Sequence, residues 1–213
     1  MSLVGGSDDQ GQAFPVYVVV VAGLLFAALA FFVVGQASVT RSDAQGAADA
    51  AALAAAREAR DNLVPGLDLG GLKSEDWSKV LEGKFFDPAG ACGKAEDFAA
   101  RNAAKATCTR QFLRFTVAVE TTNTVGNSVI PGTDAMHGTA NATAEIEPRC
   151  RLGPMATASP PLPPPVEGPT PPPTPPGPVK ITCTGGDDII FDPLKPKPWN
   201  QLARVLFSVR LVD

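Results

Sequence analysis

The chain has 213 residues, of which 45% are hydrophobic and 19% charged, and its formal net charge at pH 7 is −4. A weakly acidic chain of this kind gives no reason to expect a nucleic-acid partner. The sequence holds a single histidine, His137, and none of the GxSxG, HExxH, Walker or dinucleotide-binding motifs. We therefore expect no catalytic residue, no metal, no cofactor and no small-molecule substrate.

The N-terminal part is dominated by an uncharged apolar run at residues 14–34, FPVYVVVVAGLLFAALAFFVV. Its length matches the ~20 residues that a helix needs to cross the hydrocarbon core of a bilayer. We predict a short N-terminal tail at residues 1–13 and one transmembrane helix at residues 14–34. The protein would then be a single-pass protein of the cell membrane.

A cleaved signal peptide is the competing interpretation of this run. Secretory signals have a basic start and an apolar stretch of about 7–15 residues, whereas the start of this chain carries Asp8 and Asp9 and no basic residue. The sequence Gly35-Gln36-Ala37 resembles a cleavage site, so this alternative stays open. The length of the run and its acidic start favour a retained anchor.

Two signals for the orientation of the chain disagree. Lys and Arg concentrate on the cytoplasmic side of membrane helices, and Arg41, soon after the run, points weakly to a cytoplasmic C-terminal part. Four cysteines in that part are instead typical of an oxidising compartment, and a proline-rich tract between two of them suits a surface. We expect the C-terminal domain to be extracytoplasmic.

Residues 35–62 are predicted to continue the helix beyond the membrane, because they are rich in alanine, the best helix former, and hold no proline. The whole helix would be a rod on the order of 70 Å long, ended by Pro65-Gly66. Its small side chains predict close packing, either on the chain's own domain or on another subunit. The candidate packing residues are Ala44, Ala47, Ala48, Ala51 and Ala55.

A family resemblance is carried by residues 44–56, AQGAADAAALAAA. Behind a short polar leader and an apolar helix, this run resembles the segment just past the membrane in TadE and TadG, pilus assembly proteins of the Flp (tight adherence) system, most closely the actinobacterial type. The resemblance covers about residues 11–60. It implies a pilin-like structural protein that contacts membrane lipid, other pilin-like subunits and the pilus assembly platform, and that is not an enzyme.

The resemblance also implies a candidate processing site. Pilin-like precursors are cut after a glycine that precedes the apolar helix. With Gly11 as the last leader residue, Gln12 becomes the first residue of the processed chain and Tyr17 the sixth, as in the family pattern. Val16 stands at the fifth position, where pilins carry a glutamate. The alternative interpretation is that Gly11 belongs to a flexible tail.

Residues 63–159 are predicted to form an α+β domain. We expect one helix to begin at Ser74 and a second at residues 94–107, followed by strands from residue 112 and at residues 137–147, where apolar and polar residues alternate. The second of these strands places glycine and alanines on one face. Such a face suits close contact with an alanine-rich helix.

Residues 160–178, PPLPPPVEGPTPPPTPPGP, form a proline-rich tract. A tract of this composition favours the extended polyproline II conformation and cannot join a β-ladder. We predict a spacer or surface loop there. Residues 179–213 would then complete the domain with C-terminal strands, the last at residues 202–211.

Four cysteines, Cys92, Cys108, Cys150 and Cys183, allow three disulfide pairings. Pairing between sequence neighbours favours Cys92–Cys108 and Cys150–Cys183. A zinc site is the alternative, but the absence of a CxxC motif and the single histidine make the spacing poor for zinc. We expect two disulfides.

The predicted fold class is therefore α+β. A single transmembrane helix continues into a long alanine-rich helix that packs on a small antiparallel sheet, as in pilins, with a proline-rich loop. The predicted function is that of a membrane-anchored, pilin-like accessory protein of a Tad/Flp-type pilus or a related secretion apparatus. The alternative is an anchored extracytoplasmic cell-envelope binding domain unrelated to pili.

Overall fold

The computed structural model describes residues 13–126, 132–153, 177–185 and 188–212. Within them are four α-helices, seven β-strands and two short 3-10 helices. The helices are α1 (Ala13–Asp61), α2 (Ser74–Leu81), α3 (Ala91–Arg101) and α4 (Trp199–Leu206). The strands are β1 (Ala104–Gln111), β2 (Arg114–Thr124), β3 (His137–Pro148), β4 (Cys150–Leu152), β5 (Val179–Cys183), β6 (Asp188–Phe191) and β7 (Phe207–Val212).

Helix α1 is continuous over 49 residues, so the apolar run and the alanine-rich segment form one element. It ends at Asp61, where the Asn62 side chain donates a hydrogen bond of 2.8 Å to the carbonyl oxygen of Glu58. This bond satisfies one of the carbonyl groups that the last turn of a helix leaves without an intrahelical partner. The predicted long helix is confirmed, and it ends within one residue of the expected position.

The main sheet is antiparallel, with strand order β1-β2-β3-β7. Helices α1 and α3 lie side by side across one face of it, α3 on β1 and α1 on β2 and β3. The alternation predicted for β2 and β3 places every second residue in this interface. The buried members are Phe115, Val117 and Val119 from β2, with Ala142, Ala144 and Ile146 from β3.

A smaller antiparallel sheet, β4-β5-β6, closes the far end of the core. Its buried Phe191 lies against Trp77 of α2, with the two ring centroids 4.5 Å apart. Next to this pair, the rings of Phe86 and Phe207 meet edge to face at 4.8 Å. Aromatic pairs of this geometry add about 0.5–1.5 kcal/mol beyond the area that they bury.

The expected helix at residues 94–107 is wrong at its C-terminal half. Helix α3 ends at Arg101, and the chain reverses through Ala103, whose φ is 50°. The following residues form β1, an edge strand. Its inward side chains are as small as alanine and cysteine, so the apolar alternation that identifies a strand is weak there.

The expected strand at residues 202–211 is also wrong in its first half. Residues up to Leu206 belong to α4, and only the remainder forms β7. Within α4, Leu202, Ala203 and Leu206 are buried at helical spacing, while Val205 is 50% exposed. The apparent alternation from Val205 onward runs across the boundary between a helix and a strand.

Candidate functional site

The apolar half of α1, residues 14–34, is largely uncovered by the other residues that the structure describes. Phe26 and Phe31 are 75% and 80% exposed, and large apolar side chains are exposed all along this half. A helix that is apolar on every side requires an apolar environment. Among the described residues, α1 is the one helix long and apolar enough to cross a membrane. These facts fit a single-pass membrane anchor.

The alanine half of α1, residues 44–59, lies instead inside the folded part of the chain that follows Asp61, which we call the head. The five candidate packing residues are each at most 1% exposed. Their neighbours are β2, β3 and α3. We call these five residues the alanine stripe: Ala44, Ala47, Ala48, Ala51 and Ala55. The described structure therefore places them against the chain's own domain.

The contact between helix and sheet is closest at Gly138, near the start of β3. A Cβ atom added at this glycine would lie 2.5 Å from the carbonyl oxygen of Thr40 in α1. No L-residue with a side chain fits at that distance, so glycine is what allows the two backbones to touch. The backbone N–H of Gly138 donates to Thr121 Oγ1 at 2.9 Å, which ties the start of β3 to β2.

The opposite end of the alanine half is held by α4. The indole N–H of Trp199 donates a hydrogen bond of 3.0 Å to the carbonyl oxygen of Arg60 in the last turn of α1. Arg204 of α4 lies 3.5 Å from the carboxylate of Asp61, which also pairs with Arg60 at 2.8 Å. Sequence reasoning missed this contact because α4 itself was not predicted. The helical spacing of Leu202 and Leu206 was the sequence pattern that could have predicted α4.

Two disulfides close the head, with the predicted pairing. Cys92–Cys108 joins α3 to β1, and Cys150–Cys183 joins β4 to β5. Cys150 and Cys183 are also direct partners in the ladder of the smaller sheet. The described part of the chain has no free cysteine, and no group of three or more His, Cys, Asp or Glu side chains is placed to hold a metal ion there.

The remaining polar groups of interest are tied into local structure. His137 Nδ1 lies 2.7 Å from the carbonyl oxygen of Thr121, with which it forms a hydrogen bond. Asp188 accepts hydrogen bonds from Lys180 Nζ at 2.8 Å and from Thr182 Oγ1 at 2.9 Å, and these two donors lower the pKa of its carboxyl. Both arrangements connect neighbouring strands, which is a structural role.

Two predicted features fall outside the described residues. The candidate processing site at Gly11 and Gln12 precedes the first described residue. The proline-rich tract at residues 160–178 lies outside them except for its last two residues. Both stay predictions.

A groove beside α1 was also not predicted. A groove of about 780 Å³ runs between α1 and the loops of the head, beginning at Phe32 in the apolar half and reaching Ala47 in the alanine half. On the side of the head it is lined by Asn102, Ala103, Thr121, Asn123, Thr124 and Val125. No sequence pattern signals this groove, because it depends on where the head meets the helix.

The comparisons with known proteins agree with the geometry of α1. Residues 11–58 match the Tad family model, described as Flp pilus-assembly TadE/G-like. No curated protein and no solved structure matches the chain. The resemblance drawn from the sequence is confirmed, and the matched residues are a Tad/Flp pilus-assembly-like segment that contains the candidate membrane span.

Proposed function

We propose that this chain is a membrane-anchored, pilin-like structural protein of a Tad/Flp-type pilus or a related secretion apparatus. One observation carries the proposal: the family match at residues 11–58 nearly coincides with α1, Ala13–Asp61. The part shared with the family is thus one helix that has an exposed apolar half and a buried alanine half. In this role the helix anchors the chain and holds the head, and catalysis is not required.

The head would lie outside the cytoplasm. Two disulfides, one within each sheet region, support this orientation, because disulfides persist in oxidising compartments and are rare in the cytosol. The proline-rich residues 160–178 would extend from the head as a spacer between β4 and β5. Residues 1–13 would form the tail on the opposite side of the membrane.

The partners follow from the exposed surface of the anchor. The apolar half offers side chains on every side to lipid and to the helices of other pilin-like subunits. Its small residues, such as Gly23 and Ala27, allow another helix to approach closely. The pilus assembly platform is the further expected partner. The alanine stripe does not take part in these contacts, because the head covers it.

An anchored envelope-binding domain unrelated to pili is the second candidate. The observation in its favour is that the family match ends at residue 58 and leaves the head unmatched. In that case α1 would serve only to attach the head to the membrane. Any transmembrane helix of the same length would then do.

Exchange of the anchor separates the two functions. Residues 14–34 are replaced in the native host by an unrelated transmembrane helix of equal length, and residues 35–213 are kept. A pilus subunit needs its own apolar half for contacts with other subunits, so we expect piliation to be lost. Normal piliation with the exchanged anchor would contradict the proposal. The control is recovery of the exchanged chain from the membrane fraction with both disulfides intact.

Intact mass spectrometry of the chain from its native membrane tests processing and orientation together. We expect a mass that begins at Gln12 and lies four hydrogens below that of the reduced chain, as two disulfides require. A chain that keeps its leader would contradict processing after Gly11. Four free thiols would contradict the extracytoplasmic orientation.

A further inference from the structure

Strand β3 runs beside α1 and in the same direction, away from the proposed membrane span. Three pairs of neighbouring residues, one from each element, follow one another in the same order along both. They are Thr40 with Gly138, Gln45 with Asn141, and Ala59 with Ile146. Between the first pair and the last, α1 advances by about 28 Å and β3 by about 27 Å, so the two elements are nearly parallel. The start of β3 therefore lies at the end of the head that faces the membrane.

The pairing of β2 with β3 continues on the membrane side of Gly138. His137 pairs with Thr124 of β2. One step further, the backbone N–H of Val125 donates a hydrogen bond of 2.8 Å to the carbonyl oxygen of Met136. The backbone of Met136 is extended, with φ −88° and ψ 122°. The two strands therefore place Val125 and Met136 nearer to the apolar half of α1 than Gly138 is.

The height of Met136 above the proposed span follows from these elements. Thr40, beside Gly138, stands about 9 Å above Val34, the last residue of the apolar run, at the rise of an α-helix. Met136 lies two residues before Gly138, which brings it about 7 Å closer to the membrane at the rise of a strand. It therefore stands about 2 Å above Val34. The headgroup layer of a bilayer is about 5–8 Å thick on each side, so Met136 falls within that layer.

The side chain of Met136 suits this position. It is apolar, yet 57% of it is exposed in the described structure. A methionine side chain is unbranched and flexible, so from the headgroup layer it can extend to the hydrocarbon below. Replacement of the water around it by lipid is favourable. Asp134, exposed in the preceding 3-10 turn, stays among the polar headgroups.

We propose that the membrane-side ends of β2 and β3 are a second membrane contact of the head, in which Met136 inserts into the surface of the bilayer that α1 spans. Lipid is the partner because α1 holds Met136 at this height above the hydrocarbon core in every copy of the chain. The contact rests on the membrane-anchor part of the proposed function, but it does not depend on the pilus. It holds the β2–β3 side of the head against the bilayer.

Quenching of tryptophan fluorescence by brominated lipid tests the contact. Full-length chains with Met136→Trp or, as the matched control, Phe112→Trp are placed in phosphatidylcholine nanodiscs that hold one chain each. The two positions are similarly exposed, at 57% and 60%, but Phe112 lies at the opposite end of β2. The native Trp77 and Trp199 lie against Phe191 and the Arg60 carbonyl, at the far end of the head.

The two variants should respond differently to phosphatidylcholine brominated in the upper part of its acyl chains. We expect this lipid to remove most of the emission that Met136→Trp adds to that of the native chain, and to leave the emission of Phe112→Trp unchanged. No quenching of Met136→Trp, or equal quenching of the two variants, would overturn the proposal. If Met136→Trp does not form both disulfides, Ala135→Trp, at the neighbouring exposed position, takes its place with the same expected outcome.

A third variant separates this contact from the anchor itself. Leu25 is 62% exposed and lies near the middle of the apolar half. Lipid brominated near the ends of its acyl chains should quench Leu25→Trp. Quenching of Leu25→Trp without quenching of Met136→Trp would overturn the contact and leave the anchor in place. No quenching of Leu25→Trp would contradict the anchor of the proposed function, and the contact with it.

Discussion

Residues 14–34 and residues 44–59 belong to the same uninterrupted helix, yet they meet their surroundings in opposite ways. The first half carries large side chains such as Phe26 and Phe31, and these remain exposed. The side chains that the second half buries against the head are almost all the single methyl groups of alanines. Burial of a Leu or Phe side chain contributes about 1.5–3 kcal/mol, and a methyl group much less. Close packing against the head therefore stabilises the alanine half. The apolar half depends instead on an apolar environment around it.

The largest effect should come from the disulfide of the smaller sheet. Cys150→Ala with Cys183→Ala opens a loop with a sequence separation of 33, and the chain-entropy model gives a loss of about 4 kcal/mol. The head should unfold at a lower urea concentration and so uncover the alanine half, while the apolar half stays helical. The measurement is urea unfolding of the full chain in micelles, followed by tryptophan fluorescence.

The matched control removes the shorter disulfide. Cys92→Ala with Cys108→Ala, with a sequence separation of 16, should cost the smaller amount of about 3 kcal/mol. A loss below about 1 kcal/mol for Cys150 and Cys183, or the reverse order of the two variants, would contradict the entropic argument.

A charge in the apolar half should have the next largest effect. Leu25→Arg places a guanidinium near the centre of the proposed span, which costs about 2.5–3.5 kcal/mol of insertion free energy. Gln45→Arg adds the same side chain at an exposed position of the outer helix and should leave insertion unchanged. The measurement is the fraction of each chain recovered with membranes. Equal recovery would show that the apolar half is not held by lipid.

The same substitution in both halves tests the difference between them most directly. Ala51→Leu inserts three carbon atoms where α1 has no space against the sheet, since Ala51 is 0% exposed. Overpacking of this kind costs about 1–3 kcal/mol. Ala27→Leu makes the identical change on an exposed surface and should leave the stability of the head unchanged. Urea unfolding in micelles compares the two. Similar free energies of unfolding would contradict close packing as the cause.

The smallest effect concerns the far end of the alanine half. Trp199→Phe keeps an aromatic ring beside Phe86 but removes the donor to the Arg60 carbonyl. A lost hydrogen bond of this kind costs about 1 kcal/mol. Hydrogen exchange of the amides in the last turns of α1 should become faster while those near Gly138 stay unchanged. Uniform exchange along the helix would contradict a separate attachment at this end.

The sequence predicted the parts of the fold that depend on composition and period. The long helix follows from its apolar run and its alanines, and β2 and β3 follow from strict alternation. The disulfide pairing followed from the order of the cysteines along the chain. For the helix and the strands the signal lies within one segment of the sequence. For the cysteines, so few pairings are possible that their order along the chain is enough to select the right one.

The parts that failed depend on contacts between distant segments. β1 turns at Ala103 and presents mostly small side chains, so its pairing with β2 defines it better than its own pattern does. β4, β5 and β6 are three to five residues long and carry too few positions for a period. The groove arises only when the head meets α1 at Gly138. No single segment contains that information.

The contact at Gly138 and the unbroken helix together have a mechanical consequence. The head packs on α1 from Thr40 to Asp61, and α1 continues without a break through the apolar half. The head therefore has no hinge next to the proposed membrane span. Membrane helices are tilted by about 20° on average, and α1 extends about 40 Å beyond Val34. A change of that size in the tilt of the span would carry the far end of the head sideways by about 14 Å. Neighbouring helices and hydrophobic mismatch both act on the tilt of a span, so each of them would change the direction in which the head points.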